Sequence, residues 1–285
     1  SNSLGFVIYG QCAYDQAGIA VSGGGDINGD GLDDLLVSAA RADDRIADHG
    51  KTYVIFGKTD SNDVYLSQLA PPNSASNARI SAFSGTGGFV ILGESQYGTF
   101  VQGYSMSIAG DVNGDGLADL IIGAPRFDNN ANAFSVNGGS ALGTNEGKAF
   151  IVFGKTGTDV LRLDELNAGV SSKGFVISPG QSTGQYLMGV SVGAAGAVNG
   201  DGSDDLIIGS YNSDANAAAN DNKGLAYVVF GRSSGVNLNV TSLAPSDGFR
   251  ITGACNNDNA GFGVWGAGDV NGDGLADLLV AAPFH

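Results

Sequence analysis

Asp111, Asn113, Asp115 and Asp119 fall within "DVNGDGLAD", where three carboxylates and one carboxamide are interleaved with Gly114 and Gly116. Alternate side chains can turn their oxygens to one point, and the two glycines permit the tight backbone that wraps an ion. Leu117 can add its carbonyl, and Asp119 closes the ring. A donor set made only of oxygen suits Ca²⁺, which takes about 6–8 ligands, better than zinc or copper. Mg²⁺ asks for a smaller and more hydrated octahedron.

The same pattern recurs with Asp26, Asn28, Asp30, Leu32 and Asp34, and again with Asp269, Asn271, Asp273, Leu275 and Asp277. A third-position copy keeps Asn199, Asp201, the Ser203 carbonyl and Asp205, but has Ala197 where the others have aspartate. Three strong Ca²⁺ sites and one weak or empty site are therefore expected. Asp204 neighbours Asp205 but should point to the other side of the chain, so it is not counted as a ligand.

The loop is not an EF-hand, which needs glutamate at its twelfth position and flanking helices. That position is Val37, Ile122, Ile208 or Val280, each inside an apolar run. An Asx/Gly hairpin turn that binds nothing is the alternative for a single copy. Four copies at one place in a repeat argue against it, because a turn does not require three carboxylates.

The loops begin at positions 26, 111, 197 and 269, at intervals of 85, 86 and 72 residues. Each unit has the same parts. A stretch of small residues precedes the loop (18–25, 103–110, 189–196, 261–268), and "DLLV", "DLIIG", "DLIIG" or "DLLV" follows it. A third run is "KTYVIFG", "KAFIVFG" or "LAYVVFG"; a fourth is "GFVIYG", "GFVILG", "GFVISPG" or "GFRITG". These runs are too short for helices and rich in β-formers, so they read as strands. Four antiparallel strands per unit predict an all-β fold, a β-propeller of four-stranded blades with the acidic loops between strands one and two. Small residues suit the crowded axis, and the Phe, Tyr and Ile residues of strands three and four fill the space between blades. The chain starts on a fourth strand and stops after a second, so residues 1–285 are read as one propeller region of four repeats, the last incomplete, belonging to a longer propeller.

Composition sets the limits. The net charge is −16 although only 15% of residues are charged, and clustered Lys and Arg for phosphate contacts are lacking, which argues against nucleic acid. No apolar run reaches the length of a membrane span, and "SNSLGFVIYG" has no basic segment followed by an apolar one. Cys12 and Cys255 occupy matching places; a bridge would require their Cα atoms to lie within about 7 Å, and unpaired thiols are the preferred reading, since repeat-equivalent positions are usually separated by a rotation. His49 and His285 are the only histidines, no zinc signature or Cys/His pair occurs, and a non-enzyme is expected.

The pattern resembles the FG-GAP repeat of integrin α-type propellers. "VIFG", "IVFG" and "VVFG" match the Phe-Gly part, "IIGAP" and "VAAP" the Gly-Ala-Pro part, and "DVNGDGLAD" the calcium loop. "VSAA" and "IIGSY" depart from Gly-Ala-Pro. The phrase "GKAFIVFGKTGTDVLRLDELN" is more similar to the bacterial form found in large secreted, haemolysin-type calcium-binding proteins. The resemblance implies Ca²⁺ on the loops between strands one and two and a secreted or cell-surface setting. The expected function is an extracellular recognition or adhesion module for a protein or glycan ligand, with self-association as one way to complete the ring. A structural spacer, or a non-catalytic propeller of a large secreted enzyme or toxin-like protein, is the alternative. The long connections at 41–50, 126–147 and 211–223 are the expected binding surface, on the face opposite the acidic loops.

Overall fold

The computed structural model describes residues 5–42, 50–69, 87–93, 103, 105–127, 146–169, 171–180, 186–214 and 221–284. The described chain opens with β1 (Ile8–Tyr9). The first blade holds β2 (Ala17–Gly25), β3 (Asp34–Ala39), β4 (Lys51–Ile55) and, after β5 (Val64–Tyr65) and the single turn α1 (Leu66–Leu69), β6 (Gly88–Leu92). The second has β7 (Met106–Gly110), β8 (Asp119–Ala124), β9 (Lys148–Val152), β10 (Leu161–Arg162) and β11 (Gly174–Ser178). The third has β12 (Val192–Gly196), β13 (Asp205–Ser210), β14 (Leu225–Val229), β15 (Leu238–Asn239) and β16 (Gly248–Thr252); β17 (Gly263–Gly268) and β18 (Asp277–Ala281) follow.

The strand order within each blade is the antiparallel meander expected of a β-propeller: β2-β3-β4-β6, β7-β8-β9-β11 and β12-β13-β14-β16, with β17-β18 beginning a fourth. Each two-residue strand that follows a third strand crosses to the preceding unit and pairs in parallel with its fourth strand. Ile8 pairs with Val64, Ile91 with Leu161 and Ile177 with Leu238. These crossings were not legible in the sequence, because two residues carry no periodicity.

Alternating side chains of each sheet feed two different inter-blade cores. Leu36, Val54, Phe89 and Ile91 meet Ile108, Leu120, Ile122 and Phe150 between the first and second blades. Ile121, Ile151 and Phe175 meet Leu206, Ile208 and Tyr227 between the second and third. The expected filling by strands three and four is observed, and strand two contributes equally. The inner strands carry small residues and line a cleft of about 520 Å³, bordered by Ser22, Ser107, Gly193 and Gly266.

The Gly-Ala-Pro signature has a steric cause. A Cβ at Gly123 would lie 2.0 Å from the Gly189 carbonyl oxygen, and one at Gly209 would lie 2.1 Å from that of Gly261. Strand two of one blade here touches the entry to the inner strand of the next. The departure "VSAA" uses the same contact differently: the buried Ser38 Oγ donates to the Gly103 carbonyl at 2.5 Å. Gly123→Ala is expected to lower stability by about 1–3 kcal/mol through overpacking against backbone. Urea melts of the two proteins check this, and an unchanged midpoint would contradict it.

Candidate cation loops

Each acidic loop begins at a β-bulge, seen as a register shift between Ile108 and Gly110, Ala194 and Gly196, and Gly266 and Gly268. In the second loop Gly114 and Gly116 have φ of 78° and 88°, which a side-chain-bearing residue adopts only with strain. This curls the chain so that the Asp111 carboxylate accepts the N–H groups of Gly114, Asp115 and Gly116 at 2.7–3.0 Å. Asn113 Nδ2 donates to Asp115 Oδ2 at 2.9 Å, and Asp115 Oδ1 accepts from the Leu117 N–H. Asp26, Asn28, Asp30 and Leu32 repeat this network in the first loop, and Asp269, Asn271, Asp273 and Leu275 in the fourth.

The ninth-position aspartates sit deeper. Asp34, Asp119 and Asp205 are wholly buried. Asp119 Oδ2 accepts from the Val112 and Asn113 N–H groups at 2.9 and 3.1 Å, and Oδ1 accepts from the Gly154 N–H at 2.8 Å. Gly154 is the glycine of "IVFG". Gly57 and Gly231 make the same bond to Asp34 and Asp205 at 2.7 and 2.8 Å. The Phe-Gly glycine therefore docks the start of the three–four connection onto the acidic loop, a link that sequence reading missed. It also puts both connections on one face, as the antiparallel order requires. Burial raises the carboxyl pKa of Asp34 and Asp205 and pushes that of Asp119 up to about 7, against the opposing pull of these N–H donors.

In the third loop Asn199 Nδ2 donates to Asp201 Oδ2 at 2.7 Å, and Ser203 N–H reaches Asp201 Oδ1. With Ala197 in first place, no carboxylate collects the Gly200, Asp201 and Gly202 N–H groups as Asp111 does in its loop. The curl nevertheless persists, with φ of 72° and 96° at Gly200 and Gly202. Asp204 does leave its own loop: its Oδ2 accepts from the Asp111 N–H of the second loop at 2.9 Å.

Successive loops are stitched together. The N–H groups of Ala118, Asp204 and Ala276 donate to the carbonyls of Asp26, Asp111 and Ala197, and those of Lys155 and Arg232 donate to Ile27 and Val112. The cations that follow the Phe-Gly glycines lie over the phenylalanine of the preceding unit's fourth strand. Lys58 Nζ is 4.4 Å from the Phe6 ring centroid, Lys155 Nζ is 4.1 Å from that of Phe89, and Arg232 Cζ is 5.6 Å from that of Phe175. Desolvation at this joint lowers the Lys155 pKa to about 8.

The donor chemistry fits a hard cation, since every polar atom offered is oxygen. In the arrangement seen, the same oxygens serve backbone N–H groups, and among the described residues no three carboxylate, histidine or cysteine side chains group as a ready metal cage. Cys12 and Cys255 are exposed free thiols, as read from their spacing. Most of the expected binding surface, at 43–49, 128–145 and 215–220, lies outside the described residues, as do His49 and His285. Among the described residues no helix is long and apolar enough to cross a membrane.

The FG-GAP repeat family model matches residues 17–66, 102–140 and 266–285, that is, the first, second and fourth units. Integrin alpha pat-2 of Caenorhabditis elegans is 29% identical over 275 residues, covering 96% of this chain and 18% of the relative. Its counterpart in Caenorhabditis briggsae is 28% identical over 278 residues, and integrin alpha-5 of Xenopus laevis is 29% identical over 197 residues. The chain thus spans under a fifth of the length of the first two relatives. These matches do not bear on the bacterial haemolysin-type form.

Proposed function

We propose that this chain, an integrin-like β-propeller of FG-GAP repeats, is a calcium-stabilised, non-catalytic recognition module of a secreted or cell-surface protein. The observation that carries the reading is the repetition of one oxygen-donor loop on one face, each loop bonded to the next. Asp26, Asn28, Asp30, Asp34 and the Leu32 carbonyl would hold one Ca²⁺. Asp111, Asn113, Asp115, Asp119 and Leu117 would hold a second, and Asp269, Asn271, Asp273, Asp277 and Leu275 a third. Asn199, Asp201, Ser203 and Asp205 would hold a weaker fourth. The ion supplies positive charge where carboxylates otherwise repel one another. Calorimetric titration should resolve three tighter sites and one weak or absent; four equal sites would refute the role given to Ala197. A glycan and matrix-protein array probed with and without chelator separates recognition from a spacer role.

Proton linkage gives a second check. The Asp119 carboxyl has a folded pKa of about 7 against an ordinary 3.8. Its contribution to stability is complete below about pH 4 and is lost as pH rises through 7, and Asp34 and Asp205 act in the same direction. In chelator, the melting temperature should fall between pH 5 and pH 8. Excess Ca²⁺ should shrink that fall. A melting temperature that rises with pH in chelator would contradict the assignment.

A further inference from the structure

The dipeptide Asn-Gly occurs once in every acidic loop, as Asn28-Gly29, Asn113-Gly114, Asn199-Gly200 and Asn271-Gly272. It is the sequence most open to deamidation, because glycine has no side chain to hinder attack of its amide nitrogen on the preceding carboxamide. The carboxamide is held alike in all four loops. Each Asn Oδ1 accepts the N–H two residues on, at 2.8–2.9 Å, in a turn that folds the side chain back beside the glycine peptide. Each Nδ2 donates to the next aspartate, at 2.7–3.0 Å. The glycine nitrogen is not held alike. Gly29, Gly114 and Gly272 donate to Oδ1 of Asp26, Asp111 and Asp269 at 2.6–2.7 Å. Ala197 has no side-chain oxygen to offer, and among the described residues nothing accepts from the Gly200 N–H. Asn199 and Gly200 are exposed to water, whereas Asn28 and Asn113 are half-buried.

We propose that Asn199 is a site of self-modification, at which the Gly200 nitrogen attacks the Asn199 carboxamide. The new bond joins that nitrogen to Cγ, the Cγ–Nδ2 bond breaks, and Nδ2 leaves as ammonia with the amide proton. Water then opens the cyclic imide at either carbonyl, which yields aspartate or isoaspartate. In the other loops the attacking nitrogen must first give up its bond to a carboxylate. That carboxylate also repels the negative charge that builds on the nitrogen as its proton goes. The Asn carbonyl is polarised by the same N–H bond in all four loops, so the difference lies in the nucleophile. The two products differ in effect. Aspartate gives the third loop a third carboxylate beside Asp201 and Asp205, the number its siblings have. Isoaspartate puts the β-carbon into the backbone and lengthens the loop. The modification does not depend on a bound ion.

The test incubates the whole chain in chelator, below its melting temperature, and follows each loop by peptide mapping. Mass spectrometry reads the exchange of NH₂ for OH, and an isoaspartyl methyltransferase reports the isomer. In the folded chain Asn199 should convert at least about tenfold faster than Asn28, Asn113 or Asn271, the scale of one hydrogen bond to a charged acceptor. In denaturant the four should convert at similar rates, since each is followed by Gly-Asp-Gly. Asn137-Gly138, outside the described residues, has its own peptide and is scored apart. Ala197→Asp should bring Asn199 down to the rate of its siblings, and Asp111→Ala should raise Asn113 towards that of Asn199. Circular dichroism identifies a variant that fails to fold, and the four rates of the unsubstituted chain then decide the matter alone. Equal rates in the folded chain, an Asn199 that stays intact while the denatured chain reacts, a lead of Asn199 that persists in denaturant, or a folded Ala197→Asp chain in which Asn199 reacts as before would overturn the proposal.

Discussion

Adding a chelator is expected to lower the melting temperature on the order of 10 °C or more. An ion bound only by the folded state stabilises it by RT ln(1 + [L]/Kd), about 2.7 kcal/mol per site at a hundredfold excess. The loops act together because all four are bonded in series, the two later intact ones through the third: the Asp26 carbonyl holds Ala118, that of Asp111 holds Asp204, and that of Ala197 holds Ala276. Loosening one loop therefore frees its neighbour's anchor. Scanning calorimetry with verified metal removal is the measurement, and coincident curves with and without Ca²⁺ would end the calcium reading. Asp111→Ala should remove roughly a third of the calcium-dependent gain. Ala197→Asp should add to it, since it restores the missing anionic oxygen to a loop whose curl is already formed.

Asp119→Ala is the single substitution expected to cost most, about 3–5 kcal/mol even in chelator. It strands the Val112, Asn113 and Gly154 N–H groups around a wholly buried position, and each buried donor without an acceptor costs about 1–3 kcal/mol. Release of a buried carboxyl from its desolvation recovers part of this. Asp119→Asn keeps one acceptor oxygen, so it should be milder in chelator yet lose most of the response to Ca²⁺. Asp277→Ala, partly exposed and joined to no Phe-Gly glycine among the described residues, should cost under about 1 kcal/mol in chelator. Denaturant melts of the three variants decide the matter. Equal losses for Asp119→Ala and Asp277→Ala would show that burial and the Gly154 bond do not set the cost.

The sequence alone determined the repeat, the four strands of the first three blades and the burial of most of their apolar residues, and it marked out the residues of each acidic loop. It could do so because these are local or periodic properties. A run such as "KAFIVFG" is a buried strand in any context that covers both its faces, and "DVNGDG" has glycines where the backbone must curl. Only the tertiary structure decided what the loops touch. Asp34 reaches Gly57 across 23 residues, Asp119 reaches Gly154 across 35, and Asp205 reaches Gly231 across 26. The spacing changes with each intervening connection, so no fixed motif could reveal the bond. The cation over the preceding blade's phenylalanine, the serine that takes over at Ser38 and the turn of Asp204 onto the second loop arise the same way. They depend on the rotation between blades, which is set by inter-blade packing rather than by any short stretch of chain.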